Sequence, residues 1–338
     1  MQATRVQGLD ALRGIASLCV LAFHAVGPNS SNAYLAVDFF FMLSGYVMAR
    51  TYEERLHTGM GAAGFLKARL VRLWPTMFFA SAIGLPWLAS WTPTNWLLAI
   101  SVANLLLIPT PMLNRVFLLN GPAWSIFFEL FANAAHGLLL QRLKTRSILM
   151  LLVPLIAILA YFASRYTMEL GSTPATFLGG VPRVLVSYSI GVVLWRRWRD
   201  MPTFKVSSTF TYFAMPIAFL VGAFVDGQSW QADLMFVLLM CPMLIAGGLK
   251  LAMIPAPLRY LGVLSFPLYA VHVPVLETSK MLGVSLWWGA LASFPIAALV
   301  MALASRFSLI RVKLLCHIAT CDRAGGMNNK VSASTSSA

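Results

Sequence analysis

NWLLAISVANLLLI, residues Asn95 to Ile108, is the stretch on which the topology turns. It is apolar and uncharged, Pro93 and Pro109 bound it, and it is short. A helix needs about 20 residues to cross a hydrocarbon core of roughly 30 Å, and an apolar run of about 10 to 14 suits an interfacial or re-entrant piece better. Whether it crosses sets the orientation of everything that follows it.

The rest of the chain supplies the frame. Of 338 residues, 59% are hydrophobic and only 11% charged, against about 25% charged in a soluble domain. Apolar runs of spanning length recur at 11–27, 34–50, 73–90, 122–141, 147–164, 181–196, 208–225, 232–251, 259–279 and 284–305. The fold class is therefore an all-α, polytopic membrane bundle of about ten transmembrane helices. The first run, Leu12 to Val26, lacks a small-residue cleavage site and reads as a retained span, not a signal peptide.

Charge arbitrates on 95–108. If it does not cross, the N-terminus, the loop 51–72 and the segments around Arg142, Lys144, Arg146, Arg196, Arg197, Arg199, Arg306, Arg311 and Lys313 share one side. The other side keeps Arg115, Arg165, Arg183 and Lys280. A crossing at 95–108 would invert the downstream clusters. Basic residues collect on the cytoplasmic side, so ten spans with both termini cytoplasmic are expected. The same rule accounts for the net charge of +14 without a nucleic-acid partner. Domains are expected at 1–313, the membrane unit, and 314–338, a polar and disordered cytoplasmic tail ending NNKVSASTSSA. Cys19, Cys241, Cys316 and Cys321 imply no disulfide framework, and Cys316, His317 and Cys321 fit no zinc spacing, so no metal is expected.

Ionisable residues inside spans are costly and point to a purpose. RGIASLCVLAFH, residues 13 to 24, sets Arg13 and His24 eleven residues apart, on one helix face and roughly 16 Å apart along the axis. In VDFFFMLSGYVM, Asp38 lies about one turn below the outer surface, at the depth of His24. It is placed either to fix the His24 tautomer or simply to cap a helix start. KARLVRLWP, residues 67 to 75, carries Arg69 and Arg72 at i and i+3. Two guanidiniums at that spacing suit a phosphate, although basic flanking of a span gives the same pattern. Glu129 in AWSIFFEL and His272 in LSFPLYAVHVPV fall at similar depth in the outer half, while His136 lies deeper toward the cytoplasm. His24, Asp38, Glu129 and His272 together read as a polar chamber.

GLDALRGIASLCVLAFH, VDFFFMLSGYVM, FLKARLVRLWP, AWSIFFEL and LSFPLYAVHVPV, in this order, resemble the membrane-bound acyltransferase 3 family over roughly residues 8 to 310. The resemblance implies ten spans in a bacterial inner membrane and no permanently bound cofactor. It also implies an acyl-CoA donor, by default acetyl-CoA, and a carbohydrate hydroxyl acceptor such as that of an exopolysaccharide or O-antigen. It makes His24 the catalytic histidine, Arg13 its motif partner, and Arg69 and Arg72 the RxxR pair that would hold the CoA phosphates. Asp38, Glu129 and His272 match polar positions of its later motifs. The expected partners are acyl-CoA, the glycan acceptor and membrane lipid, and the oligomeric state is left open. Some relatives carry a soluble SGNH hydrolase-like domain after the last span, and here some 30 residues follow it, too few for one. A covalent acyl-histidine route fits the same residues. The rival is a transporter or flippase, which also needs intramembrane His, Asp and Glu. No inverted repeat or pair of broken helices favours it.

Overall fold

The computed structural model describes residues 6–27, 31–111, 114–224 and 229–307. The expected tail 314–338, with Cys316, His317 and Cys321, lies outside the described residues, as do Arg311 and Lys313. The chain is all-α. Its helices are α1 Gln7–Val26, α2 Ala36–His57, α3 Ala62–Ile83, α4 Leu85–Ala89, α5 Thr94–Leu105 and α6 Ala123–Leu138. There follow α7 Thr145–Tyr166, α8 Gly180–Trp198 and α9 Ser208–Phe224. The last are α10 Trp230–Lys250, α11 Ala256–Met281 and α12 Leu286–Phe307.

Among the described residues eight of these helices are long and apolar enough to cross a membrane. The other two expected spans fall on α9, which is apolar but shorter, and on α3. α3 begins at Ala62, not at 73, and so carries Lys67, Arg69 and Arg72 within its body. This is a multi-pass membrane bundle, as the composition required.

Two parallel helix pairs organise it. In α1 and α11, Gly14 lies against Leu261 and Gly262, and ten residues further along both helices His24 lies against His272. A Cβ on Gly14 would stand 2.8 Å from Leu261 Cβ, and one on Gly262 would stand 2.6 Å from the Asp10 carbonyl oxygen. Only glycine permits so close an approach, the means by which helices pack where lipid removes the hydrophobic drive. In α2 and α8, Asp38 pairs with Arg183 near the two N-termini. Glu53 pairs with Arg196, and Arg50 with Asp200, near the two C-termini.

That parallel register decides the reading of 95–108. From α2, the chain returns through α3, α6 and α7 before α8 runs in the direction of α2. A crossing by α5 would make α2 and α8 antiparallel. Instead α5 dips along α3, where Trp74 Nε1 donates to the Leu105 carbonyl at 2.9 Å. The chain then reverses at Leu107, which adopts the left-handed φ of 59°. It climbs back until Asn120 Nδ2 meets Ser81 Oγ near the end of α3 at 3.3 Å. The segment is re-entrant. The side on which α1 begins is called below the N-terminal face, and the other the distal face.

Candidate functional site

Prolines build part of the site's wall. α11 contains Pro267 and Pro274, and a proline cannot donate to the carbonyl four residues earlier. Pro274 therefore frees the Ala270 carbonyl, and Asn120 Nδ2 donates to it at 3.1 Å. This bond pins the loop leaving the re-entrant segment onto α11, beside His272.

The two histidines that the sequence singled out do meet. His272 Nε2 is 3.3 Å from His24 Nδ1, with the rings edge to face at 4.8 Å. His272 is buried and His24 half-buried. Carbonyl oxygens only accept, so they assign the protons. His24 Nδ1 lies 2.9 Å from the Val20 carbonyl, and His272 Nδ1 lies 2.6 Å from that of Tyr269. Each Nδ1 is thus the N–H donor. The His272 Nε2 lone pair faces the His24 Nδ1–H, and His24 Nε2 is left as the basic nitrogen of the pair.

Asp38 does not orient His24. It is wholly buried and receives Arg183 Nε at 3.1 Å, Arg183 Nη2 at 2.6 Å and Ser187 Oγ at 3.3 Å. Arg183 also donates to the Leu170 and Tyr34 carbonyls, both at 3.0 Å, and lies over the Trp124 ring. Removing two charges from water is tolerable only with hydrogen bonds this complete. Of the two sequence readings, one turns the carboxylate to its neighbour across the short turn and the other leaves it as a helix cap. It faces α8 instead, because the parallel packing of α2 and α8 brings a guanidinium to the same depth.

Glu129 also has a different neighbourhood. Its Oε1 accepts from Arg69 Nη2 and Ser44 Oγ, both at 2.7 Å. It lines a cavity of about 100 Å³ together with Arg13, Arg69, Arg72, Ser125 and Tyr269. All three arginines of the sequence reading therefore converge on one cavity. Arg69 is buried and among the described residues its Nε has no hydrogen-bond partner, while Arg72 is exposed. Toward the distal face the cavity reaches Tyr269, whose hydroxyl lies 2.7 Å from Ser125 Oγ and whose ring lies 5.5 Å from that of His272. The arginine cavity and the histidine pair are thus consecutive layers along α1 and α11.

Other buried polar groups lie outside the candidate site read from sequence. Arg183 is one. Another set, near the N-terminal face, joins Glu53, His136, Tyr188 and Asn133. His136 Nε2 lies 3.5 Å from Glu53 Oε1, His136 Nδ1 lies 2.9 Å from Tyr188 Oη, and Tyr188 donates to Asn133 Oδ1 at 3.0 Å. On α10, Asp233 accepts from Tyr34 Oη at 2.5 Å and Asn32 Nδ2 at 3.1 Å, both in the connection between α1 and α2. These lie off the arginine–histidine line.

The chain is 38% identical over 156 residues to "Protein 2 in picA locus" of Rhizobium radiobacter, an alignment that covers 38% of this chain and 79% of that protein. No solved structure matches. The acyltransferase domain of the acyltransferase 3 family matches residues 6–306, which hold both the arginine cavity and the histidine pair. The chain is a membrane protein that belongs to the acyltransferase 3 family.

Proposed function

We propose that the protein moves an acyl group, by default acetyl, from acyl-CoA on the cytoplasmic side of a bacterial inner membrane to a carbohydrate hydroxyl on the other side. In this reading the N-terminal face is the cytoplasmic one, as the basic residues favour. One observation carries it: three arginines in a single cavity lie one layer from a histidine pair with a free basic nitrogen.

Arg13, Arg69 and Arg72 take the charged end of the donor, because guanidinium forks match phosphate oxygens. Glu129 holds Arg69 in place through its 2.7 Å contact. The donor's flexible thiol arm lies along the cavity toward Tyr269 and brings the thioester to the histidine layer. His24 Nε2 accepts the acceptor hydroxyl's proton while that oxygen attacks the thioester carbonyl carbon. The new C–O bond forms, the C–S bond breaks, and CoA leaves as a thiolate that collects the proton from His24. His272 keeps the His24 Nδ1–H directed inward, so that Nε2 stays basic. Asp38 stays outside the chemistry and locks α2 to α8.

The test uses the purified full chain in lipid nanodiscs, acetyl-CoA, and glycan prepared from cells lacking the gene. Glycan-dependent release of the CoA thiol, with acetyl esters appearing on the glycan, is the expected result. A chain that binds neither CoA nor releases its thiol with any such glycan acts in some other way, and a carrier becomes the better account.

A further inference from the structure

We infer that Arg115, Glu277 and Trp87 form the acceptor subsite at the distal mouth, built for a neutral polyol ring such as a sugar. The inference rests on the acyl-transfer reading above and adds the residues that choose the acceptor.

Glu277 follows His272 by five residues on α11, about 7.5 Å further toward the distal face. Its Oε1 accepts from Arg115 Nη1, and the Arg115 guanidinium carbon sits 5.7 Å from the centre of the Trp87 ring. Trp87 in turn packs edge to face on Trp91 at 5.1 Å. Arg115 is 44% exposed but Glu277 only 12%. Among the described residues Glu277 Oε2 is buried and has no hydrogen-bond partner. An ionised carboxylate with an unmet oxygen is an unfavourable thing to keep. It is what a site looks like when an outside hydroxyl completes it.

The loop that carries Arg115 is held firmly. Val116 N donates to the Ser172 carbonyl at 3.1 Å, Leu119 N to Asn104 Oδ1 at 2.9 Å, and Asn120 Nδ2 to the Ala270 carbonyl at 3.1 Å. At Gly121 the loop lies against α11, where a Cβ would make ordinary contact with Val273 Cγ1 at 3.6 Å. The guanidinium is therefore preorganised, and ordering it costs little on binding.

The chemistry selects the ligand class. Arg115 is neutralised by Glu277, so the pair carries no net charge with which to hold a phosphate. A carboxylate that accepts and a guanidinium that donates satisfy neighbouring hydroxyls, and the indole supplies an apolar face for the C–H side of a ring. Aromatic residues at a membrane interface need no special reason. That rule accounts for Trp91, but not for a buried carboxylate with an orphan oxygen one turn from the end of a helix.

The experiment compares wild type with Glu277→Gln, Arg115→Lys and Trp87→Leu, all full-length in nanodiscs, with acetyl-CoA and the unacylated cell glycan as the probe acceptor. Each variant should raise the acceptor KM by roughly 10- to 100-fold, the loss of one charge-assisted contact. Acetyl-CoA affinity and the thermal transition should stay at wild-type values, and Trp87→Phe should restore most of the loss. An unchanged acceptor KM in Glu277→Gln and Arg115→Lys overturns the subsite, and so does a parallel fall in acetyl-CoA affinity. If Glu277→Gln fails to assemble, Arg115→Lys and Trp87→Leu decide alone. Failure of the underlying reading looks different, because then the wild type itself transfers nothing to the glycan.

Discussion

His272 Nε2 stands 3.3 Å from His24 Nδ1, and each imidazole rests its own Nδ1 on a carbonyl of its own helix. The pair is a consequence of helix register. α1 and α11 run parallel, touch at Gly14 and Gly262, and keep step over the next ten residues. The arrangement gives the two rings unequal tasks: His272 presents a lone pair inward, and His24 keeps one for a reactant.

His24→Ala should therefore abolish acyl transfer while CoA affinity survives, since Arg13 lies roughly 16 Å back along α1 and Arg69 and Arg72 lie on α3 beside it in the arginine cavity. Loss of a general base costs about 10² to 10⁴ in rate. His272→Gln retains an acceptor and should lose less. Transfer to glycan and CoA binding, measured on the same preparations, check this. Wild-type transfer by His24→Ala would return the residue to a purely structural role.

At the other end of the cavity, Arg69→Lys and Arg72→Lys should each weaken CoA binding by about 1.5 to 3 kcal/mol, because lysine lacks the two-pronged fork. Arg69 has a second duty toward Glu129, so its replacement should also lower the thermal transition. Calorimetric titration with CoA, beside melting curves of both variants, separates the two effects. Equal CoA affinity in all three proteins would remove the pair from the donor site.

Much of this was legible in the sequence because it rests on local pattern. Span lengths gave the fold class, and charge asymmetry placed 95–108 as a non-crossing segment. The eleven-residue interval put Arg13 and His24 on one face. What was not legible depends on partners far away in the chain. Asp38 and Arg183 are separated by 145 residues, and each alone looks like an ordinary polar group at the end of a span. Depth along its own helix groups Glu129 with the histidines, and a span over 73–90 leaves Arg69 in the loop before it. With the helix beginning at Ala62, Arg69 lies inside the bundle and claims the carboxylate. The His24–His272 contact was foreseen only as shared depth, since the parallel packing of α1 on α11 has no local signature beyond its glycines.

Asp38 gives a stability prediction where sequence alone allowed a catalytic one. Asp38→Ala leaves Arg183 charged and unpaired at full burial, a change that typically costs about 3 to 5 kcal/mol. Replacing both, as in Asp38→Leu with Arg183→Met, removes the two charges together and should recover much of the stability. The recovered protein should also regain acyl transfer, because neither side chain touches a reactant in the proposed scheme. Folded, monodisperse double variant with no activity would show that Asp38 acts in the chemistry after all.

The re-entrant reading of NWLLAISVANLLLI makes the last prediction, and it concerns sidedness. If α5 turns back at Leu107, α6 starts on the distal face and the loop at Arg146 lies on the N-terminal face. A reporter fused after Arg146 should then give the same signal as one fused at the N-terminus, and with basic residues held inside, that signal is cytoplasmic. A reporter fused after Asn114 should give the opposite one, because that loop is distal. Weakening the turn supplies a control. Deleting the Asn104 amide, as in Asn104→Leu, removes its 2.8 Å bond to Thr110 Oγ1 and its 2.9 Å bond from Leu119 N. The variant should lose thermal stability without inverting the Arg146 reporter, since the parallel locking of α2 and α8 fixes the later helices independently. An Arg146 reporter that reads opposite to the N-terminus in wild type would mean that α5 crosses. The placing of Arg115 and Glu277 on the acceptor side would fall with it.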